Sequence, residues 1–127
     1  MDKAANVVQI TPFMHVPDLA GAIRWFELIG FETILAHGGY AYMGYGQARI
    51  RVMESRQDDG APNPPHRGFA YYIDVRDVGV IARDLAPKLT AAGVEFMGPR
   101  DQTYGQREFM IRAPDGNVFV FGQSLEG

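Results

Sequence analysis

The sequence contains no cysteine. That excludes disulfides, thiolate nucleophiles and cysteine-held metals together. It has no apolar run near the roughly 20 residues a membrane helix needs. It also lacks a strong charge of either sign, with a formal net charge of −3 at pH 7. A basic nucleic-acid footprint is therefore missing. Neither nucleic acid nor a membrane is expected as a partner. The N-terminal MDKAANVVQI has no charged region followed by an apolar signal core, so a cytoplasmic protein is expected.

What is present suits one domain of 127 residues. Hydrophobic residues make up 46% of the chain, enough to build a real core. The 15 glycines and 8 prolines call for many turns rather than a helical bundle.

VVQITPFMHV (7–16) is rich in β-branched and aromatic residues and reads as a strand. Pro12 inside it suggests a sheet edge, a bulge or a hinge. Asp18 then reads as an N-cap opening a helix from Leu19 to about Ile29, with Gly30 ending it. Leu19, Ala22, Ile23, Phe26 and Ile29 recur at helical spacing. Strands follow at 31–38, 40–45 and 48–54. In the last, Ile50 and Val52 point one way and Arg49, Arg51 and Met53 the other.

SRQDDGAPNPPHRG (55–68) is polar and turn-rich and reads as a linker. The pattern then restarts. FAYYIDV (69–75) reads as a strand and Asp77 as a second N-cap. A helix to about Ala92 should be broken or kinked by Pro87 near Ala86. Strands at 94–98, 107–113 and 117–123 close the chain, with Asp115-Gly116 as the hairpin turn. V-x-D-L at 16–19 answers V-x-D-V at 75–78, and G-F-E at 30–32 answers G-V-E at 93–95. The expected fold class is α+β. Two tandem βαβββ modules, about 7–55 and 68–123, would form a curved mixed sheet with a concave ligand groove.

The residues VPDLAGAIRWFELIGF (16–31), DVRDV (74–78), AAGVEF (91–96) and YGQREFMIRAPDGNVFVFG (104–122) carry a resemblance. In them the chain resembles the vicinal oxygen chelate superfamily, which includes glyoxalase I, extradiol dioxygenases and bleomycin resistance proteins. The closing run with R-E-F and P-D-G-N looks most like the bleomycin-resistance branch. The resemblance implies that enzymes of this kind hold a divalent metal on the concave sheet face, usually with two or three His and a Glu. Carried over one by one, the ligand positions fall on Thr11, near Arg51, on Phe69 or Ala70, and on Val120. None is a usual ligand, and an arginine repels a cation. His15 shares strand parity with Thr11 and Phe13, His37 is near a turn and His66 is in the linker. Each reads as a surface or hydrogen-bonded residue rather than a ligand. No metal and no cofactor is expected.

The resemblance therefore implies a metal-free binding protein that takes up an antibiotic-like or aromatic ligand. By strand parity the groove-facing set is Phe13, His15, Tyr40, Tyr42, Arg49, Arg51, Met53, Phe69, Tyr71, Glu108, Met110 and Arg112. Arg49 and Arg51 favour an anionic or carbonyl-bearing group over a strongly cationic ligand such as bleomycin. The alternatives are a glyoxalase- or dioxygenase-type enzyme on a small carbonyl or aromatic substrate, and an interaction module whose groove its own side chains fill. Family members commonly pair through an exchanged N-terminal strand, so a homodimer is expected, with Pro12 as a compatible hinge.

Overall fold

A computed structural model describes residues 3–55 and 69–126. The linker reading at 55–68, from 56 onward, and His66 lie outside the described residues. The chain divides into two compact units, residues 1–65 and 66–127. In the first, β1 (Phe13–Val16) leads into α1 (Leu19–Leu28), followed by β2 (Glu32–His37), β3 (Tyr40–Tyr45) and β4 (Ala48–Glu54). In the second, β5 (Ala70–Asp74) leads into α2 (Val78–Ala91), followed by β6 (Phe96–Asp101), β7 (Gln106–Arg112) and β8 (Val118–Ser124). The expected α+β fold of two βαβββ modules is what forms.

Each unit holds a four-stranded mixed sheet, ordered β1-β4-β3-β2 and β5-β8-β7-β6. The first strand of each runs parallel to the last, and the other neighbours are antiparallel. Period-two alternation divides each sheet into two faces. In the first unit Met14, Val16, Ala41, Met43, Ile50 and Val52 are buried on the face that meets Phe26 and Ile29. In the second, Phe109, Ile111, Phe119 and Phe121 are buried together with Val78, Ala82, Leu85 and Leu89 of α2. The opposite face of each sheet has no helix of its own unit upon it.

Local signals explain the element ends. Asp77 caps α2, its Oδ1 accepting from the N–H of Gly79 at 3.0 Å and of Val80 at 3.4 Å. Asp18 occupies the N-cap of α1 but makes no side-chain cap hydrogen bond. The turn at Asp115-Gly116 closes with the Gly116 N–H donating to the Ala113 carbonyl at 3.0 Å, and Gly116 takes a φ of 88°.

Two expectations are corrected. The first strand is shorter than 7–16, since only Phe13–Val16 pairs with β4. Proline has no N–H for a ladder, and the pairing starts just after Pro12. Its carbonyl still accepts from the Arg51 N–H at 3.0 Å. Pro87 does not break α2, which runs on to Ala91, close to the expected end at about Ala92. Leu85 and Leu89, 1% and 0% exposed, bracket it, and their packing outweighs one lost helix hydrogen bond.

Phe121 is wholly buried, so Phe121→Ala should lower stability by about 3–5 kcal/mol in urea unfolding. A loss under about 1 kcal/mol would contradict this packing.

Candidate functional site

The open face of the first sheet is built by register. Phe13 lies opposite Arg51, and Arg51 opposite Tyr42. His15 lies opposite Met53, Met53 opposite Tyr40, and Arg49 opposite Gly44. All seven first-module residues expected on this face, Phe13, His15, Tyr40, Tyr42, Arg49, Arg51 and Met53, are on it. The rings cluster at one side. Phe13 stacks on His15 at 5.2 Å and lies 6.2 Å from Tyr40. His15 Nδ1 sits 3.2 Å from the hydroxyl of buried Ser55. His37 ends β2 opposite Tyr40 and is exposed.

Arg51 is fixed in the middle of this face. Its guanidinium lies 4.6 Å from the centre of the Tyr42 ring, a cation–π contact. Its Nε donates to Thr11 Oγ1 at 3.0 Å and its Nη1 to the Tyr40 hydroxyl at 2.6 Å. Gln9 donates to the Tyr42 hydroxyl at 2.8 Å, so residues 9 and 11 both tie the N-terminal segment to this face. Arg49 behaves differently. Its Nη1 donates to the carbonyls of Gly46 and Ala48 at 2.8 and 2.7 Å, which holds it on its own turn. There it borders a half-open pocket of about 480 Å³ with Glu32, Ile34 and Tyr45, residues outside the expected set.

On the second sheet, Glu108, Met110 and Arg112 lie opposite Gly122, Val120 and Val118, and all three are on the open face as expected. Arg112 is drawn aside, its Nε donating to Glu95 at 3.1 Å near the surface. Phe69 and Tyr71 are not on that face. Phe69 precedes β5, is 53% exposed and gives its N–H to Asn117 Oδ1 at 2.9 Å. Tyr71 lies opposite Phe119 and stacks on it at 5.2 Å, on the helix-covered side. Burial, and then the charge of Asp115, pushes its phenol above its ordinary range. The cause of the misreading is a one-residue slip, which turns a strand over. Counting back from the cap Asp77 aligns Tyr72 with Phe13 and Asp74 with His15, and the register agrees.

Tyr72 is the residue that parity missed. Its side chain crosses β8 through the space a Cβ on Gly122 would fill. Its hydroxyl reaches Glu108 Oε2 at 2.9 Å and Gln106 Oε1 at 3.1 Å. One phenol has one proton, so it goes to the carboxylate, and the Gln106 amide turns to donate its N–H. Tyr104, on the turn before β7, donates its hydroxyl to Glu108 Oε1 at 2.8 Å. Glu108 is thus buried at 7% exposure with a phenol on each oxygen. Desolvation, the hydrogen bond to Glu108 and nearby negative charges including Asp74 push the Tyr72 phenol up to about 12. The hydrogen bond to Glu108 raises that of Tyr104 as well.

The family model of the Glyoxalase/Bleomycin resistance protein/Dioxygenase superfamily matches residues 7–121. The chain belongs to this superfamily. Several solved structures share its fold. TioX from Micromonospora sp. ML1 is similar with a TM-score of 0.72 and 22% identity, over 94% of this chain and 100% of TioX. The bleomycin-binding protein of bleomycin-producing Streptomyces verticillus, solved with copper(II)-bleomycin, gives 0.68 and 21%, over 94% and 98%. TnmS3, an antibiotic binding protein from Streptomyces sp. CB03234, gives 0.66 and 21%, over 93% and 98%. No curated protein sequence matches.

A metal of the kind used by enzymes of this superfamily finds poor donors here. Among the described residues no three His, Asp or Glu side chains converge on one point. Thr11, which the resemblance sets at a family ligand position, and Arg51, which it sets near one, are hydrogen-bonded to each other. Ala70 and Val120 share the open face of the second sheet but carry no donor atom. This set does not fit a divalent cation.

The raised Tyr72 phenol has a consequence for stability. Between pH 10 and about 12 the folded protein keeps a proton that the unfolded chain has lost. Stability therefore falls as pH rises through that window. Urea midpoints of wild type should drop more steeply there than those of Tyr72→Phe, and coincident profiles would contradict the contact with Glu108.

Proposed function

We propose that this superfamily member is a metal-free small-molecule binding protein that sequesters a planar aromatic, antibiotic-like ligand. The carrying observation is Arg51. A cation stands near where the resemblance sets a family metal ligand, bonded to Thr11, where it sets another, and stacked on Tyr42. An ion-pair-free guanidinium on an aromatic floor is a binding feature, because it offers N–H donors to a carbonyl or anionic group while the rings stack on a flat one. Among the described residues two of its five N–H groups are engaged, which leaves three for a ligand. Phe13, His15, Tyr40, Tyr42 and Met53 serve as the stacking surface, and Arg49 stands at its margin. Tyr72, Glu108 and Met110 supply the open face of the second module, with Arg112 at its edge. The bleomycin-binding protein and TnmS3 support this reading as relatives that bind antibiotics.

The protein acts as a homodimer in this proposal. Val7, Val8 and Ile10 are 69%, 94% and 94% exposed in the single chain, a β-branched apolar segment suited to a second copy. Sedimentation at micromolar concentration should give a dimer, and Val8→Asp with Ile10→Asp should shift it to monomer. A wild-type monomer would contradict the assembly.

Metal analysis of purified protein, with zinc, nickel, manganese and iron(II) titrations, should find no stoichiometric binding. A thermal-shift screen of planar aromatic compounds and bleomycin-type glycopeptides should find stabilisation among the aromatic carbonyl compounds, about 2.7 kcal/mol at a hundredfold excess over Kd. Arg51→Ala should weaken the best compound about tenfold, the worth of one charged hydrogen bond. Stoichiometric metal binding on the open face would favour a glyoxalase- or dioxygenase-type enzyme instead.

A further inference from the structure

We infer that Glu108, Tyr72 and Tyr104 form a recognition site for a protonated amine carried by the ligand. The inference deepens the binding-protein reading and rests on it only for the aromatic part of that ligand. Glu108 is 7% exposed, and a carboxylate taken out of water needs donors or a countercharge. It has two hydroxyl donors, Tyr72 at 2.9 Å and Tyr104 at 2.8 Å, and no cation among the described residues. Among the described residues the ion pairs of this unit join Arg107 to Asp101, Arg112 to Glu95 and Lys88 to Asp84. Arg100 lies opposite Glu108 across the sheet, yet it is exposed and makes no ion pair with it. Asp74, across Gly122, adds a second negative charge on the same face.

The chemistry of the cluster selects among ligands. Each phenol spends its only proton on Glu108, and the Tyr72 oxygen accepts from Gln106, which leaves the Tyr104 oxygen as an acceptor beside the carboxylate. The cluster therefore presents acceptors and negative charge together. A carbonyl or an anion finds no match in it, whereas an ammonium brings up to three N–H donors and the missing countercharge. The two rings add cation–π attraction at short range. Tyr104 is 65% exposed and sits on a turn, so its hydroxyl can leave Oε1 to an incoming ammonium while its ring covers it. The polarity is opposite to that around Arg51.

The test compares 1-naphthylmethylamine with 1-naphthylmethanol, a neutral isostere, by calorimetry on the full chain at pH 7.5. The amine should bind at least tenfold tighter than the alcohol, about 1.4 kcal/mol. In Glu108→Gln that ratio should fall to near one. Gly122→Ala, which forces the Tyr72 ring aside, should lower the ratio several-fold and serves if Glu108→Gln does not fold. Tyr104→Phe keeps the ring and the carboxylate and should retain the preference. Equal affinities in wild type, or a preference that survives both Glu108→Gln and Gly122→Ala, would overturn the ammonium site while leaving the aromatic-binding reading intact. Glu108-dependent amine binding without alcohol binding would uphold the site and remove the aromatic reading. Failure of both probes at millimolar concentration would remove both.

Discussion

Each sheet of this protein has one helix of its own module to cover it, and a strand exposes two faces. That constraint governs the rest. Most buried apolar residues of the strands are drawn to the helix side, as Met14, Val52, Phe109 and Phe121 are. Whatever alternates with them stands on the other face and must satisfy itself there. In the first module that face is organised by a cation, Arg51, which binds Thr11 and Tyr40 and lies over Tyr42. In the second it is organised by an anion, Glu108, held between two phenols. Two copies of one βαβββ plan thus carry opposite polarity.

The same constraint bears on metal chemistry. A divalent site needs several oxygen or nitrogen donors converging with negative or neutral charge. By the resemblance, the positions that supply them in enzymes of the superfamily fall on the Thr11 hydroxyl, near the Arg51 guanidinium, on Phe69 or Ala70, and on Val120. The Thr11 hydroxyl already accepts from Arg51. What remains is a surface of rings with fixed donors and acceptors, which is the composition of a small-molecule site.

Much of the fold was legible in the sequence because its signals are local. Asp77 immediately before an apolar-periodic run, Gly30 and Gly93 after such runs, and Asp115-Gly116 between alternating strands each dictate backbone geometry where they stand. The open face of the first module was legible for the same reason, since clean alternation in 48–54 fixes the faces of Arg49, Arg51 and Met53. The second module's face was legible only in part. Nothing in FAYYIDV separates Tyr71 from Tyr72, because both suit a strand and parity depends on register with β8. Tyr104 and Gly122 were invisible for a stronger reason. Their roles depend on Tyr72 crossing a neighbouring strand, a contact spanning 36 residues to Glu108. Likewise the first strand was overextended, since 7–12 has strand composition but ladder pairing starts only after Pro12. Pro87 does not break α2 because buried Leu85 and Leu89 hold the helix together around it.

The claim on which the account turns is that Arg51 occupies a ligand-binding face where a metal would otherwise sit. The most direct measurement is the ¹⁵N–¹H signal of the Arg51 Nε in the purified protein. The account predicts a slowly exchanging Nε–H, held by Thr11, that zinc leaves in place and that a planar aromatic carbonyl compound shifts. A signal displaced by one equivalent of zinc, and indifferent to every aromatic compound, would contradict it.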